Sequence, residues 1–369
     1  MSKARQLADL GNAYSDGGIS GSNLIINGSM QCFQRATAAT TMTNTYGAVD
    51  RFRGFSNGGG AFTGEKYDMT TSEIAATGQY QALKMLVSTA DTSIAASEYY
   101  SLNYRFEGDD LQQLKYGSSS AQSFTVSFWV KSDTTGTYFL TVDKLANGQT
   151  AYRIPIEYTI SSADTWEQKI ITVSPTAGST SLITSSAGAI GGGTGHGLSL
   201  YWGFAWGTDY HGTNNTWSTS YGTNATANNW MGTVGNDFYL TGVQLEIGDT
   251  STPFEHRSYA DQLQACQRYY SQIAQGAGVC TTTGTNLYLS VKLPVRMRAV
   301  PSVSQTGAMT VNDGSANLTQ SSASINSYNE GGTLDSLFVS LNNFSGLTAN
   351  RPVVVRQNTG KSITADAEL

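Results

Sequence analysis

The side chains best suited to chemistry lie between Trp206 and Trp230, and the chemistry they suit is recognition rather than bond breaking. Trp206, Tyr210, Trp217, Tyr221 and Trp230 are interleaved there with Asn, Asp and Thr. Aromatic faces stack on the apolar face of a pyranose while amides and carboxylates take its hydroxyls, so the composition is that of a glycan-contact site. A plainer reading stands beside it. A polar, Gly-rich loop of this length must bury aromatics merely to be ordered, and the same rings then serve as scaffold.

No catalytic constellation accompanies these rings. His196, His211 and His256 are scattered, and no serine sits in a Gly-x-Ser-x-Gly elbow. Asp109 and Asp110 are adjacent, so their side chains diverge and cannot straddle a glycosidic bond. His256, between Glu255 and Arg257, reads as a corner residue fixed by charge pairing. Asp50, Arg51 and Glu246 all lie beside apolar strand positions, which suggests a structural ion pair among them. Cys32, Cys266 and Cys280 form an odd set without CxxC or His-flanked spacing, so buried free thiols are expected. With no run of carboxylates at calcium-loop spacing, the expectation is no catalytic residue, no metal and no cofactor.

Composition narrows the setting. The chain has 369 residues, enough for two domains with separate cores. Charged residues make up only 13%, while aromatics reach 11% and Gly, Ser, Thr and Asn are abundant, a balance suited to turn-rich β proteins. A net charge of -6 without any Lys/Arg block speaks against a nucleic-acid partner, because phosphate binding depends on clustered cations. The first residues lack an apolar h-region and no run is long and apolar enough to span a bilayer, so no membrane insertion and no secretory route are expected.

The elements that must position these residues are strands. Phe124, Val126, Phe128 and Val130 alternate with Thr125, Ser127, Trp129 and Lys131, the clearest half-buried strand in the chain. Similar patterns run over 80–87, 97–106, 138–142, 151–160, 166–173 and 198–204, and Asp237 to Ile247 closes the series, interrupted at Gly242. Leu24-Ile-Ile reads as a buried strand run, Gly108 to Leu114 as a short helical turn, and Asn147-Gly148 as a hairpin turn. Phe124, Phe128, Val130, Leu200, Trp202, Leu240 and Leu245 are the expected core, since a one-residue slip would expose the whole set. After Pro253 the spacing becomes helical: Tyr259, Leu263, Cys266, Tyr270 and Ile273 follow a four-three pattern that predicts a seam of about two heptads for a parallel homotrimer. Beyond it, Leu289, Val291 and Leu293 alternate again, followed by strand signals at 301–304, 308–311, 336–341 and 352–356. The expected architecture is all-β: an N-terminal arm over 1–22, a jelly-roll β-sandwich over 23–257, a linking helix over 258–276 and a small antiparallel β domain over 277–369.

Three stretches carry a family likeness. Asn23-Leu-Ile-Ile-Asn-Gly-Ser-Met with Val49-Asp-Arg-Phe stands near the front, and Phe124-Thr-Val-Ser-Phe-Trp-Val-Lys-Ser in the middle. The third runs from Asp237-Phe-Tyr-Leu-Thr-Gly-Val-Gln-Leu-Glu-Ile-Gly through Thr252-Pro-Phe-Glu-His-Arg-Ser-Tyr to Cys266-Gln-Arg-Tyr-Tyr. In wording and order they resemble a jelly-roll module, like those of carbohydrate-binding modules, found in tail fibres and related virion proteins of tailed bacteriophages. The resemblance implies a virion structural protein, a trimeric short tail fibre that attaches the particle to a host surface glycan or outer-membrane receptor. It implies also that the arm, with Lys3, Arg5, Leu7 and Leu10, docks on another tail or virion protein, since so short a segment has too little apolar surface to fold by itself. Two other readings remain open at this stage, a capsid fibre or decoration protein without receptor binding, and a polysaccharide depolymerase tailspike.

Overall fold

Strict alternation along a strand sends one parity of side chains to one face, and the computed structural model follows that rule closely. It describes residues 23–369 apart from 146–149, 221–226, 274–275, 283, 306–308, 316, 321–324, 328–333 and 357–362. The arm residues Lys3, Arg5, Leu7 and Leu10, the Asn147-Gly148 turn and Tyr221 lie outside the described residues. The chain divides into two units between Tyr259 and Ala260.

The first unit contains β1 (Thr40–Thr41), β2 (Phe52–Asn57), β3 (Ala61–Asp68), helix α1 (Thr71–Thr77), β4 (Gln81–Thr89), β5 (Tyr99–Glu107), β6 (Phe124–Ser132), β7 (Gly136–Lys144), β8 (Tyr152–Ile160), β9 (Glu167–Val173), β10 (His196–Trp206) and β11 (Asp237–Ile247). These strands form a six-stranded sheet, β1-β3-β4-β11-β6-β9, and a five-stranded sheet, β2-β5-β10-β7-β8. Apart from the consecutive pairs β3-β4 and β7-β8, successive strands cross between the two sheets, as in a jelly-roll sandwich, and their ladders are antiparallel. Phe124, Phe128, Val130, Leu200, Trp202, Leu240 and Leu245 are fully buried in the one core between the sheets. Phe128 lies edge-on to Trp202 with ring centroids 5.8 Å apart, so the contact spans the two sheets.

Other segments follow from local chemistry. Asp109–Leu114 forms the short helical turn read in the sequence, with Leu111 and Leu114 turned into the core. Helix α1 was not anticipated, although its signal is present. Thr70 and Glu73 make a reciprocal capping box, and Gly78, at φ 72°, ends the helix in the left-handed conformation. Leu24–Ile26 is not a strand. Asn23 to Gly28 is an irregular segment pinned to β11 at two points, Leu24 N–H donating to Leu245 O (3.0 Å) and Val243 N–H donating to Gly28 O (2.9 Å).

That pinning is completed by the Pro-Phe-Glu-His-Arg corner. Glu255 accepts from Asn23 N–H (2.9 Å) and pairs with Arg257 (3.0 Å), whose guanidinium donates to Asn23 O (2.7 Å). Glu255 and Arg257 thus engage each other and the start of the sandwich, whereas His256 is exposed and meets only the edge of the Phe254 ring among described contacts. The expected pairing of Asp50 or Arg51 with Glu246 is absent as well. Asp50 is held by Arg35 (3.6 Å) and Gln34, Arg51 donates to Arg105 O, and Glu246 accepts from Thr252 N–H (3.0 Å).

Helix α2 (Tyr259–Gln267) begins at the last residue of the first unit, and it is shorter than the spacing suggested. Tyr270 and Ile273 do not continue a helical seam. They lie on β12 (Tyr270–Ile273), where a Tyr- and Ile-containing stretch finds a better partner in an antiparallel ladder than in a lone helix. A helix of this length cannot supply two heptads, so Tyr259, Leu263, Cys266, Tyr270 and Ile273 do not form a single coiled-coil face. The remaining strands are β13 (Ala277–Cys280), β14 (Leu287–Lys292), β15 (Ser302–Gln305), β16 (Met309–Asn312), β17 (Asn317–Gln320), β18 (Ile325–Ser327), β19 (Ser336–Leu341), β20 (Pro352–Arg356) and β21 (Ile363–Asp366). They order as β12-β21-β15 and β17-β16-β20-β13-β14-β19-β18 around a second core that includes Leu287, Leu289, Val291 and Val339. Cys32, Cys266 and Cys280 are buried free thiols.

Candidate functional site

The five-stranded sheet has a second face, turned away from the core, and its side chains are unlike those of an ordinary solvated face. On β2 the core takes Phe52, leaving Arg53 and Phe55 half-buried on the outside. On β5 and β10 the outward positions include Tyr99, Ser101, Asn103, Arg105, Ser199 and Tyr201. Cross-strand register sets these residues in rows. Arg53 stands beside Asn103, Asn103 beside Tyr201, and Tyr201 beside Thr141. In the neighbouring row Arg105 stands beside Ser199, Ser199 beside Asp143, and Asp143 beside Arg153.

Trp206 joins this face through a backbone irregularity. By simple alternation from Trp202 and Phe204 it would point into the core. The register shifts between Gly203 and Ala205, so that Trp206 pairs with outward-facing Tyr99 instead. Its indole N–H donates to Tyr100 O (3.2 Å), and its ring lies 6.0 Å from Tyr99, 6.1 Å from Tyr201 and 5.8 Å from Tyr210. Phe55 stacks on Tyr99 at 4.9 Å and meets Tyr201 at 5.6 Å, while Tyr210 closes edge-on to Tyr99 at 5.2 Å. The result is a contiguous cluster of Phe55, Tyr99, Tyr201, Trp206 and Tyr210.

Charged groups border the rings. The Arg53 guanidinium lies over the Phe55 ring at 5.6 Å and donates to Asn44 O (3.1 Å). Burial lowers its pKa, and the positive charge of Arg105 lowers it further, against the opposing influence of Tyr46, Tyr201 and Tyr99. Arg105 is steadied by donating from Nε to Asn103 Oδ1 (2.9 Å). At the other end, Arg153 lies 3.2 Å from Asp143, whose carboxyl is pushed up by burial while Arg153 and Arg105 pull it down. Flat ring faces beside fixed hydrogen-bond donors are the combination a pyranose requires.

The aromatic loop contributes differently from what its composition suggests. Trp217 is 1% exposed and Trp230 0%, with their indole N–H groups donating to Ser174 O (2.8 Å) and Asp237 O (2.9 Å). Both are core residues: Trp217 packs edge-on against Tyr116, and Trp230 lies 4.7 Å from Phe204. They are therefore scaffold, because a ring without accessible surface cannot stack on a sugar. Trp206 is itself 8% exposed, so Tyr210 is the more accessible of the two loop-end residues that reach the cluster. Phe55, Tyr99, Tyr201 and Arg53 were missed by the sequence reading. Their signal was the outward parity of β2 and β5, which carries rings and guanidinium groups where small polar residues are usual.

The three histidines stand at separate places in the chain. His196 lies against Ser199, His211 against Trp206 O, and Asp109 accepts from the backbone of Gly193. Among the described residues no group of three or more His, Cys, Asp or Glu side chains is placed to hold a metal ion. No helix among them is long and apolar enough to cross a membrane.

No protein-family model and no curated protein matches this sequence. Among solved structures, the chain is similar to the enzymatically active domain of tailspike protein 4 of bacteriophage CBA120, at 10% identity and a TM-score of 0.32, over 61% of this chain and 21% of that one. It thus spans about a fifth of the tailspike chain. It is similar also to a family 11 carbohydrate-binding module from a cellulosomal cellulase of Clostridium thermocellum, at 11% identity and a TM-score of 0.30, over 60% of this chain and 99% of that one. A xylan-binding domain from Paenibacillus barcinonensis aligns at 15% identity and a TM-score of 0.31, over 57% of this chain and 99% of that one.

Proposed function

We propose that this chain is a structural protein of a tailed-phage virion, a short tail fibre that attaches the particle to its host by binding a surface glycan on the outer face of the five-stranded sheet. The observation that carries the binding assignment is the cluster of Phe55, Tyr99, Tyr201, Trp206 and Tyr210 bordered by Arg53 and Arg105. Tyr201 and Trp206 are buried and back the cluster, while Phe55, Tyr99 and Tyr210 are half-buried, and ring faces with adjoining donors suit a saccharide. The virion assignment is supported by the three sequence stretches described above. Two of them coincide with the Asn23 segment and the Glu255–Arg257 corner that closes the sandwich on itself.

The protein acts in this reading by adhesion and not by catalysis, with many copies on one particle supplying avidity. Assembly as a homotrimer belongs to the same proposal, as does seating on another virion protein through residues 1–22. Self-association has an apolar surface to draw on in the second unit, where Val279, Tyr288, Phe338 and Val354 are exposed on neighbouring strands.

The test is retention of purified protein on immobilised host surface polysaccharide, comparing the native chain with Phe55→Ala and Tyr210→Ala. Retention should fall at least about tenfold in both variants while the melting transition stays in place. Failure of the native chain to be retained on any host polysaccharide would end the glycan reading. Light scattering gives the oligomeric state, and imaging of labelled particles gives the location on tail or shell.

A further inference from the structure

An asparagine followed by glycine can consume its own side chain, because a residue without a Cβ leaves its backbone nitrogen free to reach the amide carbon before it. The chain holds three such pairs, at Asn27, Asn57 and Asn147. Asn27 is fully buried, and its amide is held at both ends. Its Nδ2 donates to Cys32 O (3.0 Å) and Asp50 O (3.1 Å), and its Oδ1 accepts from Gln31 N–H (2.9 Å) and Cys32 N–H (2.9 Å). Asn57 and Gly58 are instead exposed, at the turn that leaves β2.

The fold dictates both members of the exposed pair. A Cβ at Gly58 would collide with the hydroxyl of Tyr100, which is fixed by donating to Asp91 Oδ2 (2.7 Å) and accepting from Gly60 N–H (2.8 Å), so glycine fits there. Asn57 pairs with Tyr99 across the ladder, and its Nδ2 donates to Ser97 O (3.0 Å). The segment held in this way supports the loop end of the aromatic cluster. Gly207 N–H donates to Glu98 O (2.7 Å) and Asp209 N–H to Ala96 O (3.0 Å), next to Tyr210, whose ring meets Tyr99 edge-on at 5.2 Å.

Resting on the glycan reading above, we infer that Asn57 is a modification site and a positioning residue, whose conversion to aspartate or isoaspartate frees the 95–98 segment and with it Tyr210. In the first step the Gly58 nitrogen, having lost its proton to solvent base, bonds to Asn57 Cγ. The Cγ–Nδ2 bond breaks, ammonia leaves, and a succinimide ring closes. Water then opens the ring at either carbonyl, and nothing is oxidised or reduced. The product turns a carboxylate oxygen toward Ser97 O where the amide donor stood, so two acceptors face each other in place of a hydrogen bond. The saccharide face loses its grip as the protein ages, without any enzyme acting on it.

The experiment incubates the folded, full chain at mildly alkaline pH and follows the Asn-Gly peptides by mass spectrometry. The Asn57 peptide should gain the mass of an amide-to-acid change many times faster than the Asn27 peptide, and equal rates at the two would overturn the modification site. Hydrogen exchange at the Asp209 amide should quicken severalfold in Asn57→Asp and stay near the native rate in Asn57→Gln, which keeps an amide donor, while amides in the middle of β6 do not change in either. An Asp209 amide indifferent to Asn57→Asp would overturn the positioning role. On immobilised host polysaccharide, Asn57→Asp should be retained severalfold less than the native chain, and equal retention would overturn the effect on binding. A native chain that no host polysaccharide retains would remove the glycan reading instead, and the mass and exchange results would still decide the site.

Discussion

Lys131 Nζ lies 2.7 Å from Glu73 Oε1 and 4.2 Å from the centre of the Tyr239 ring, so one ammonium group ties helix α1 to the outer face of the six-stranded sheet. Glu73 also accepts from Trp166 Nε1 (2.9 Å) and Thr70 N–H (2.9 Å). Burial alone would push its carboxyl up. Lys131, the backbone of Thr70, Trp166 and the Thr70 hydroxyl outweigh that and hold it at about 2, below the ordinary 4.5. Because the folded-state pKa is depressed, the stabilisation is complete above the unfolded value near 4.5 and is lost as pH falls through about 2. After discounting for the solvent that reaches the cluster, it amounts to about 1–2 kcal/mol at neutral pH. Urea melts of the native chain and Glu73→Gln should therefore differ at pH 7 and converge toward pH 2. A constant difference across that range would mean that the carboxylate charge contributes nothing.

Phe128 faces Tyr158 at 5.4 Å and Trp202 at 5.8 Å in the centre of the sandwich. Phe128→Ala should cost about 3–5 kcal/mol, since neighbours drawn from both sheets cannot close the cavity together. Denaturant melts giving a loss below about 1 kcal/mol would place this side chain outside the load of the core.

Trp230 and Tyr210 stand at opposite ends of one loop and should respond in opposite ways. Trp230→Ala removes a core ring and the hydrogen bond to Asp237 O, with an expected loss of about 3–5 kcal/mol. Tyr210→Ala should change stability by less than about 1 kcal/mol and act on saccharide retention instead. Thermal melts alongside the binding measurement separate the two effects.

Arg257→Ala removes the donor to Asn23 O and leaves Glu255 without its ion-pair partner. The expected cost is about 1.5–3 kcal/mol, as for a hydrogen bond to a charged group. Hydrogen exchange should also accelerate at the Leu24 amide, which donates to Leu245 O, well before it does so at amides in the middle of β6.

The sandwich was legible because alternation is a local property. Phe124 to Lys131 names its buried parity without reference to any partner, and the same holds for Leu198 to Phe204 and Leu287 to Val291. What local pattern could not carry was competition between partners. Tyr270 and Ile273 fit a helical spacing, yet the ladder with Ile363–Asp366, some ninety residues later in the sequence, wins them for a strand. Leu24-Ile-Ile looks like a strand because it is apolar, but its polar backbone is satisfied at two points on β11 rather than along a ladder. The candidate site was harder still. Trp206 reaches it only through the register shift between Gly203 and Ala205, and its companions Phe55 and Tyr99 come from strands about forty residues apart. Composition drew attention to the loop, whose Trp217 and Trp230 are core residues.

The clamp of Glu255 and Arg257 on Asn23 has a mechanical meaning. The points where the chain enters and leaves the sandwich are held side by side, so tension applied between them runs through the clamp and the Asn23–Gly28 segment, and the eleven strands are bypassed. Such a domain transmits a pull between its two ends while its sheets stay unloaded. Stretching single molecules by handles at residues 23 and 257 should give an early, low-force release of the clamp, separate from the later rupture of the sheets; a single cooperative rupture would show that the load is shared from the start.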